Sequence, residues 1–149
     1  MEKRLFVERK VAVVRDNLEK LRHLAALDEA AFLSDFTKAD SAQHRLQTSI
    51  QALVDLGALV AAEKGIPAGG RSTDLIDALH RAGVFPADRR DIYLRMVRFR
   101  NVLVHLYNGV NIGKVYEVLR SSLGDIERFL DDLLAGLGDL GKSGAAGTP

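Results

Sequence analysis

The spacing of the apolar residues constrains this chain most: it recurs in steps of three and four, and nowhere alternates with period two over a useful length. Val7, Val11, Val14, Leu18, Leu21 and Ala25 share one side of an amphipathic helix of roughly 22–25 residues. A second long helix is expected from Asp40 to Glu63, with Leu46, Ile50, Leu53 (or Val54) and Gly57 facing inward. It stops at the run Gly65-Ile66-Pro67-Ala68-Gly69-Gly70, whose glycines and proline cannot continue a helix. Ser72 can cap a short helix over Thr73–Arg81, with Asp74 in its first turn. Pro86 suits the first position of the next helix, which should run to Tyr107 and close at Asn108-Gly109. Asn111 then caps a last helix carrying Val115, Val118 or Leu119, Ser122, Ile126, Phe129, Leu133 and Leu137. The fold class is all-α, an up-and-down bundle of about four long helices and a short one, with no β-sheet. Residues 1–137 form one domain, and the Gly-rich stretch 138–149 reads as a flexible tail.

The 149 residues suffice for one domain with a core of its own. No cysteine is present, which excludes disulfide frameworks, thiolate metal sites and cysteine nucleophiles. The opening MEKRLFVERK is charged and lacks an apolar run, so no signal peptide is expected there. The longest nearly apolar stretch, Leu53 to Ala62, carries Asp55 and is far shorter than a membrane span. A soluble, cytoplasmic protein without a membrane partner is the expectation. The net charge of +1 hides a division: residues 1–27 and 71–100 each carry +3, while 28–70 carry −3 and 101–149 carry −2.

The loop Gly65–Ser72 imitates a phosphate loop, G-x-x-x-x-G-K-S/T, with Arg71 at the lysine position. A phosphate loop follows a strand and needs its lysine; here a helix precedes it, and a helix–helix connection is the reading. His23, His44, His80 and His105 show no metal-ligand spacing, and no metal or other cofactor is expected.

The segment 95–116, RMVRFRNVLVHLYNGVNIGKVY, is the most informative. At the helical pitch, Ile92, Met96, Phe99, Leu103 and Leu106 fall within about 80° and form the core stripe. A neighbouring stripe holds Tyr93, Val97, Arg100, Val104 and Tyr107, and a polar one holds Arg98, Asn101, His105 and Asn108. Arg100 therefore sits on a largely apolar face and needs a partner. No acid stands at 96, 97, 103 or 104, so a distant carboxylate or an external anion is expected. Arg100 and His105 lie about 140° apart on a straight helix. Converging on one group requires a distorted helix end, the reach of arginine, or a second copy of the chain. Asn101 adjoins His105 and can orient its ring.

Fourteen arginines and four histidines make a bare Arg-x4-His spacing unremarkable, but the longer string Arg100-Asn101-Val102-Leu103-Val104-His105-Leu106-Tyr107 resembles the R-x4-H-x-Y signature of the HepT-like toxins in the HEPN superfamily. The stretch Val110–Tyr116, Arg45-Leu46-Gln47 and Asp55 are also similar to that family's pattern, whereas Gln51 stands where an acid is expected. The resemblance implies a helical homodimer whose two motifs face one cleft. It further implies metal-independent endoribonuclease activity on RNA, tRNA being one candidate target. It implies as well an MNT-type minimal nucleotidyltransferase antitoxin that transfers AMP to Tyr107. Arg100 and His105 would then be catalytic and Asn101 supporting. Arg95 and Arg98, with Arg89 and Arg90, would extend the positive field toward the RNA backbone. The other reading is a non-catalytic helical partner or antitoxin module that binds a nucleotidyltransferase and is indifferent to His105→Ala.

Overall fold

A computed structural model describes residues 2–105 and 111–146, excluding the side chains of 105 and 143–146. The described residues form eight α-helices and one 3-10 turn, with no strand among them. The helices are α1 (Glu2–Ala25), α2 (Glu29–Leu33), α3 (Phe36–Lys64), α4 (Ser72–Arg81), α5 (Arg90–His105), α6 (Ile112–Ser121), α7 (Leu123–Leu137) and α8 (Asp139–Ala146). Among the described residues no helix is long and apolar enough to cross a membrane.

Helix α3 is the central post, packing on α1, α2, α4, α5, α6 and α7. It runs antiparallel to α1: Lys3 pairs with Glu63, Lys10 with Asp55, and Asn17 with Thr48, so one number rises as the other falls. The inward stripes match the spacing of the sequence. Val7, Val11, Val14, Leu18 and Leu21 are buried on α1, and Leu46, Ile50, Leu53 and Gly57 on α3. Arg45 ties the two together, donating to Asn17 Oδ1 at 3.1 Å and to Ser41 Oγ at 3.1 Å. Gly65 ends α3 at φ 65°, a left-handed conformation that disfavours a side chain.

Several boundaries differ from the expectation. Helix α3 begins four residues earlier, because Asp35 accepts from the Thr37 N–H and caps it. The five-residue α2, capped by Asp28, fills the corner before it. Ser72 is the first residue of α4 rather than its cap; Arg71 holds the cap position and offers no side-chain bond there. Pro86 precedes a 3-10 turn over Ala87–Arg89, and α5 starts only at Arg90. The expected end of that helix at Tyr107–Gly109 lies outside the described residues. Asn111 does cap α6, its side chain accepting from the Lys114 N–H. The single last helix is in fact two, α6 and α7, broken at Ser122. Within the stretch taken for a tail, Asp139–Ala146 is helical and packs on α1 and α7. Gly141 makes this approach possible, since a Cβ there would stand 1.8 Å from the Leu134 carbonyl oxygen.

Candidate active site

Helix α5 is buried deeply in its first half and emerges in its second. Tyr93, Leu94, Met96 and Val97 are buried, whereas Arg98 and Val102 are exposed and Arg100 and Asn101 half-buried. Both apolar stripes therefore serve the core at the helix start: Tyr93 and Val97 are fully covered, while Ile92 and Phe99 are only partly so. The Tyr93 ring stacks on Phe129 at 4.0 Å between centroids and meets the Phe85 ring edge-on at 5.0 Å. Its hydroxyl donates to Asp132, and burial together with that carboxylate pushes its ionisation far above the usual phenol range. This end of α5 is an anchor.

At the emerging end, Arg100 is the organising group. Its Nη2 donates to Gln51 Oε1 and its Nη1 to Asn101 Oδ1 at 2.8 Å. Gln51 Nε2 in turn donates to Asp55 Oδ1 at 2.8 Å, and Lys10 Nζ to Asp55 Oδ2 at 2.8 Å. A chain of polar contacts thus runs from α5 through α3 to α1. The partners of Arg100 among the described residues are two side-chain amides, where the sequence led to a distant carboxylate or an external anion. That difference is chemical: a carboxylate would neutralise the guanidinium, whereas amide oxygens orient it and leave its charge in place. The single carboxylate in the chain, Asp55, is matched by Lys10.

Arg100 and Asn101 open onto a groove of about 530 Å³ whose other walls are Gln51, Val54, Arg71, Ser72 and Thr73. No acid lines it. Its volume is in the range of sites that hold nucleotide-sized ligands, about 300–1,000 Å³.

The remaining predicted residues divide. His105 is the last residue of α5, one turn beyond Asn101; its side chain and the whole of Tyr107 lie outside the described residues. Asn101, expected to orient the imidazole, has its Oδ1 engaged by Arg100. Arg98 is exposed. Arg95 is exposed and lines a separate depression with Phe99, Lys114 and Glu117, away from the Arg100 groove. Arg90 is bound to Asp77 at 2.8 Å and to Asp91 at 3.0 Å, so its charge is matched locally. Among the described residues no three His, Asp or Glu side chains converge as a metal-ligand group. The sequence marked Gln51 only as a departure from the family pattern and gave Lys10 no role. The four-residue spacing of Gln51 and Asp55, which places both on one face of α3, was the available signal.

An all-α bundle with an arginine poised on neutral acceptors ahead of a histidine defines the class of protein. Residues 14–133 match the Ribonuclease HepT-like family, and the chain belongs to it. It is 28% identical over 128 residues to the mRNA nuclease HepT of Shewanella oneidensis, spanning 85% of this chain and 94% of that one. Its fold superposes on a tri-AMPylated HEPN toxin from Shewanella oneidensis in complex with an MNT antitoxin, with a TM-score of 0.78 and 25% identity, over 87% of this chain and 97% of that one. A mutant MntA-HpeT toxin–antitoxin structure gives the same TM-score and identity, over 87% and 98% of the two chains.

Proposed function

We propose that this protein is a toxin endoribonuclease that cleaves RNA without a metal, with Arg100 and His105 as its catalytic residues. The observation that carries the reading is the setting of Arg100: a permanent cation, fixed by two amides, facing a groove without a carboxylate. In metal-free cleavage the ribose 2′-oxygen attacks the adjacent phosphorus. The O2′–P bond forms and the P–O5′ bond breaks, leaving a 2′,3′-cyclic phosphate and a 5′-hydroxyl. The 2′-hydroxyl proton must be taken up, and a proton must reach the departing 5′-oxygen. Imidazole exchanges protons near neutral pH, which suits His105 to these transfers. The extra negative charge on phosphorus falls to Arg100, whose planar donors fit phosphate oxygens.

A homodimer would bring two such motifs to one cleft, so that one histidine could act as base and the other as acid. An MNT-type nucleotidyltransferase is the antitoxin in this reading, and Tyr107 is the acceptor of AMP. Tyr107 is seven residues beyond Arg100 in the sequence, and a nucleotide attached there would add a bulky anion to the motif and exclude substrate. The tri-AMPylated state of the similar toxin supports this. The similar nuclease is named for mRNA, which makes mRNA as well as tRNA a substrate to assay.

The test is purified protein on total RNA in excess chelator, compared with Arg100→Ala and His105→Ala. Cleavage is expected from the parent and a fall of about 10²–10³-fold or more in each variant. Cleavage that survives both substitutions, or that needs a divalent cation, overturns the assignment. Growth arrest on expression alone, relieved by His105→Ala, separates the nuclease from a purely structural partner of the transferase.

A further inference from the structure

The segment that imitates a phosphate loop in the sequence has the wrong context for one, yet the fold delivers it to the Arg100 groove. Arg71, Ser72 and Thr73 line the same groove as Gln51, Arg100 and Asn101. Three features make this segment more than a linker. The Arg71 side chain is exposed and makes no hydrogen bond or ion pair among the described residues, so its charge is unmatched, in contrast to Arg22, Arg45 and Arg90, which are each bound within the fold. The one nearby acid, Asp74, lies over Gly69, where a Cβ would stand 2.6 Å from its Oδ2, and it is not part of the groove lining. Finally, Arg71 takes the α4 cap position without making a side-chain cap bond there, so its guanidinium is not spent on capping its own helix.

We infer that Arg71 is a substrate-binding residue, engaging an RNA backbone phosphate adjacent to the one held at Arg100. This rests on the ribonuclease reading above. Two arginines from different helices, lining one groove that no acid borders among the described residues, suit a chain carrying regularly spaced anions. The two differ in mobility as their tasks require. Arg100 is tethered at both terminal nitrogens and can present a fixed geometry to the reacting phosphate, whereas Arg71 is untethered and can follow a flexible strand. Arg71 therefore contributes to holding RNA and not to the chemical step.

The experiment measures binding of a single-stranded oligoribonucleotide to the full-length His105→Ala protein, in which cleavage is disabled, over a range of salt concentrations. Arg71→Gln, Arg71→Lys and Arg81→Gln are added separately to that background. Arg81 is an exposed arginine at the far end of α4 and serves as the charge-matched control. Arg71→Gln should weaken binding about five- to tenfold and reduce the logarithmic salt slope by roughly 0.7, the value for one phosphate on a single strand. Arg71→Lys should retain most of the slope, and Arg81→Gln should change neither quantity. In the cleavage-competent protein, Arg71→Gln should raise KM and leave kcat within about twofold. If Arg71→Gln binds like its parent with the same slope, or lowers kcat at unchanged KM, the inference is overturned while the ribonuclease reading stands. If the His105→Ala parent binds no RNA, both fall.

Discussion

Two depressions of similar size on this molecule hold arginines, and they differ in what faces those arginines. One, about 580 Å³, lies between α1 and α7 and is lined by Arg15, Glu19, Arg22, His23, Glu127 and Asp131. There Arg22 donates to Glu127 at 2.6 Å, and carboxylates stand among the cations. The other, about 530 Å³, holds Arg71 and Arg100 with only amides, hydroxyls and a valine around them. The first is slightly the larger, but its two arginines face three carboxylates; the second has two arginines and no carboxylate in its described lining. Volume and arginine content do not distinguish a structural groove from an anion site. The identity of the acceptor does.

The strongest way to break that distinction is at Gln51. Gln51→Ala removes the acceptor that orients Arg100 from α3 and leaves Asp55 with Lys10 alone. Activity should fall about tenfold, mainly in kcat, because the guanidinium loses a fixed direction and not its charge. Gln51→Glu performs the opposite operation. It keeps an acceptor in place but adds the carboxylate that the α1–α7 groove has, and should weaken RNA binding about five- to tenfold with a smaller loss in kcat. The check is a comparison of KM and kcat for the two variants. Equal effects of both on both constants would show that Gln51 acts only through general stability.

These two sites were unequally legible in the sequence, for physical reasons. The long helices α1 and α3 repeat their apolar spacing over many turns, so Val7 to Leu21 and Leu46 to Gly57 declared their inward faces. Five-residue α2, which the structure shows capped by Asp28, carries too little periodicity to register. The break between α6 and α7 was hidden because the apolar spacing continues across Ser122. Helix α8 was masked by glycines that read as flexibility, whereas Gly141 is what lets the segment lie against the Leu134 carbonyl. At the site, Arg100 was marked by its anomalous place on an apolar stripe. Its holder Gln51 is 49 residues away, and Lys10 at the far end of the same series of contacts is 90 residues away, on helices whose relative placement is set by the whole core. Likewise, the rule that a phosphate loop follows a strand rightly excluded that motif for Gly65–Ser72, but it carries no information on which groove the loop would border.

Smaller effects are expected in the α1–α7 groove, and they sharpen the comparison by their smallness. Arg22 and Glu127 are each about half exposed, at 50% and 53%. Solvent screens such a pair, so Arg22→Ala should cost no more than about 1 kcal/mol in denaturant unfolding. RNA cleavage should be unchanged, since the loss lies in a region where the charges were already matched. A drop in activity comparable to that of Gln51→Ala would erase the functional difference between the two grooves.

The smallest effect concerns Asp131 and carries a sign that can be checked. Burial, and then the neighbouring Glu127, raise its pKa above the ordinary carboxylate value of 3.8, against the opposing pull of Arg15. The folded state therefore holds this proton more tightly than the unfolded chain, so stability falls as pH rises from the unfolded value through the raised folded one. The penalty is fully present above that window and absent below it. Asp131→Asn removes the ionisable group, and should stabilise the protein at neutral pH by at most about 0.5 kcal/mol for a side chain this exposed. The advantage should shrink as pH falls through this window and vanish well below about pH 4, where the parent aspartate is protonated in both states. Urea unfolding at pH 7 and pH 3.5 decides it. A variant less stable than the parent at pH 7 would mean that the attraction of Arg15 outweighs burial and Glu127, and that Asp131 is a matched charge like Glu127 rather than an excess one.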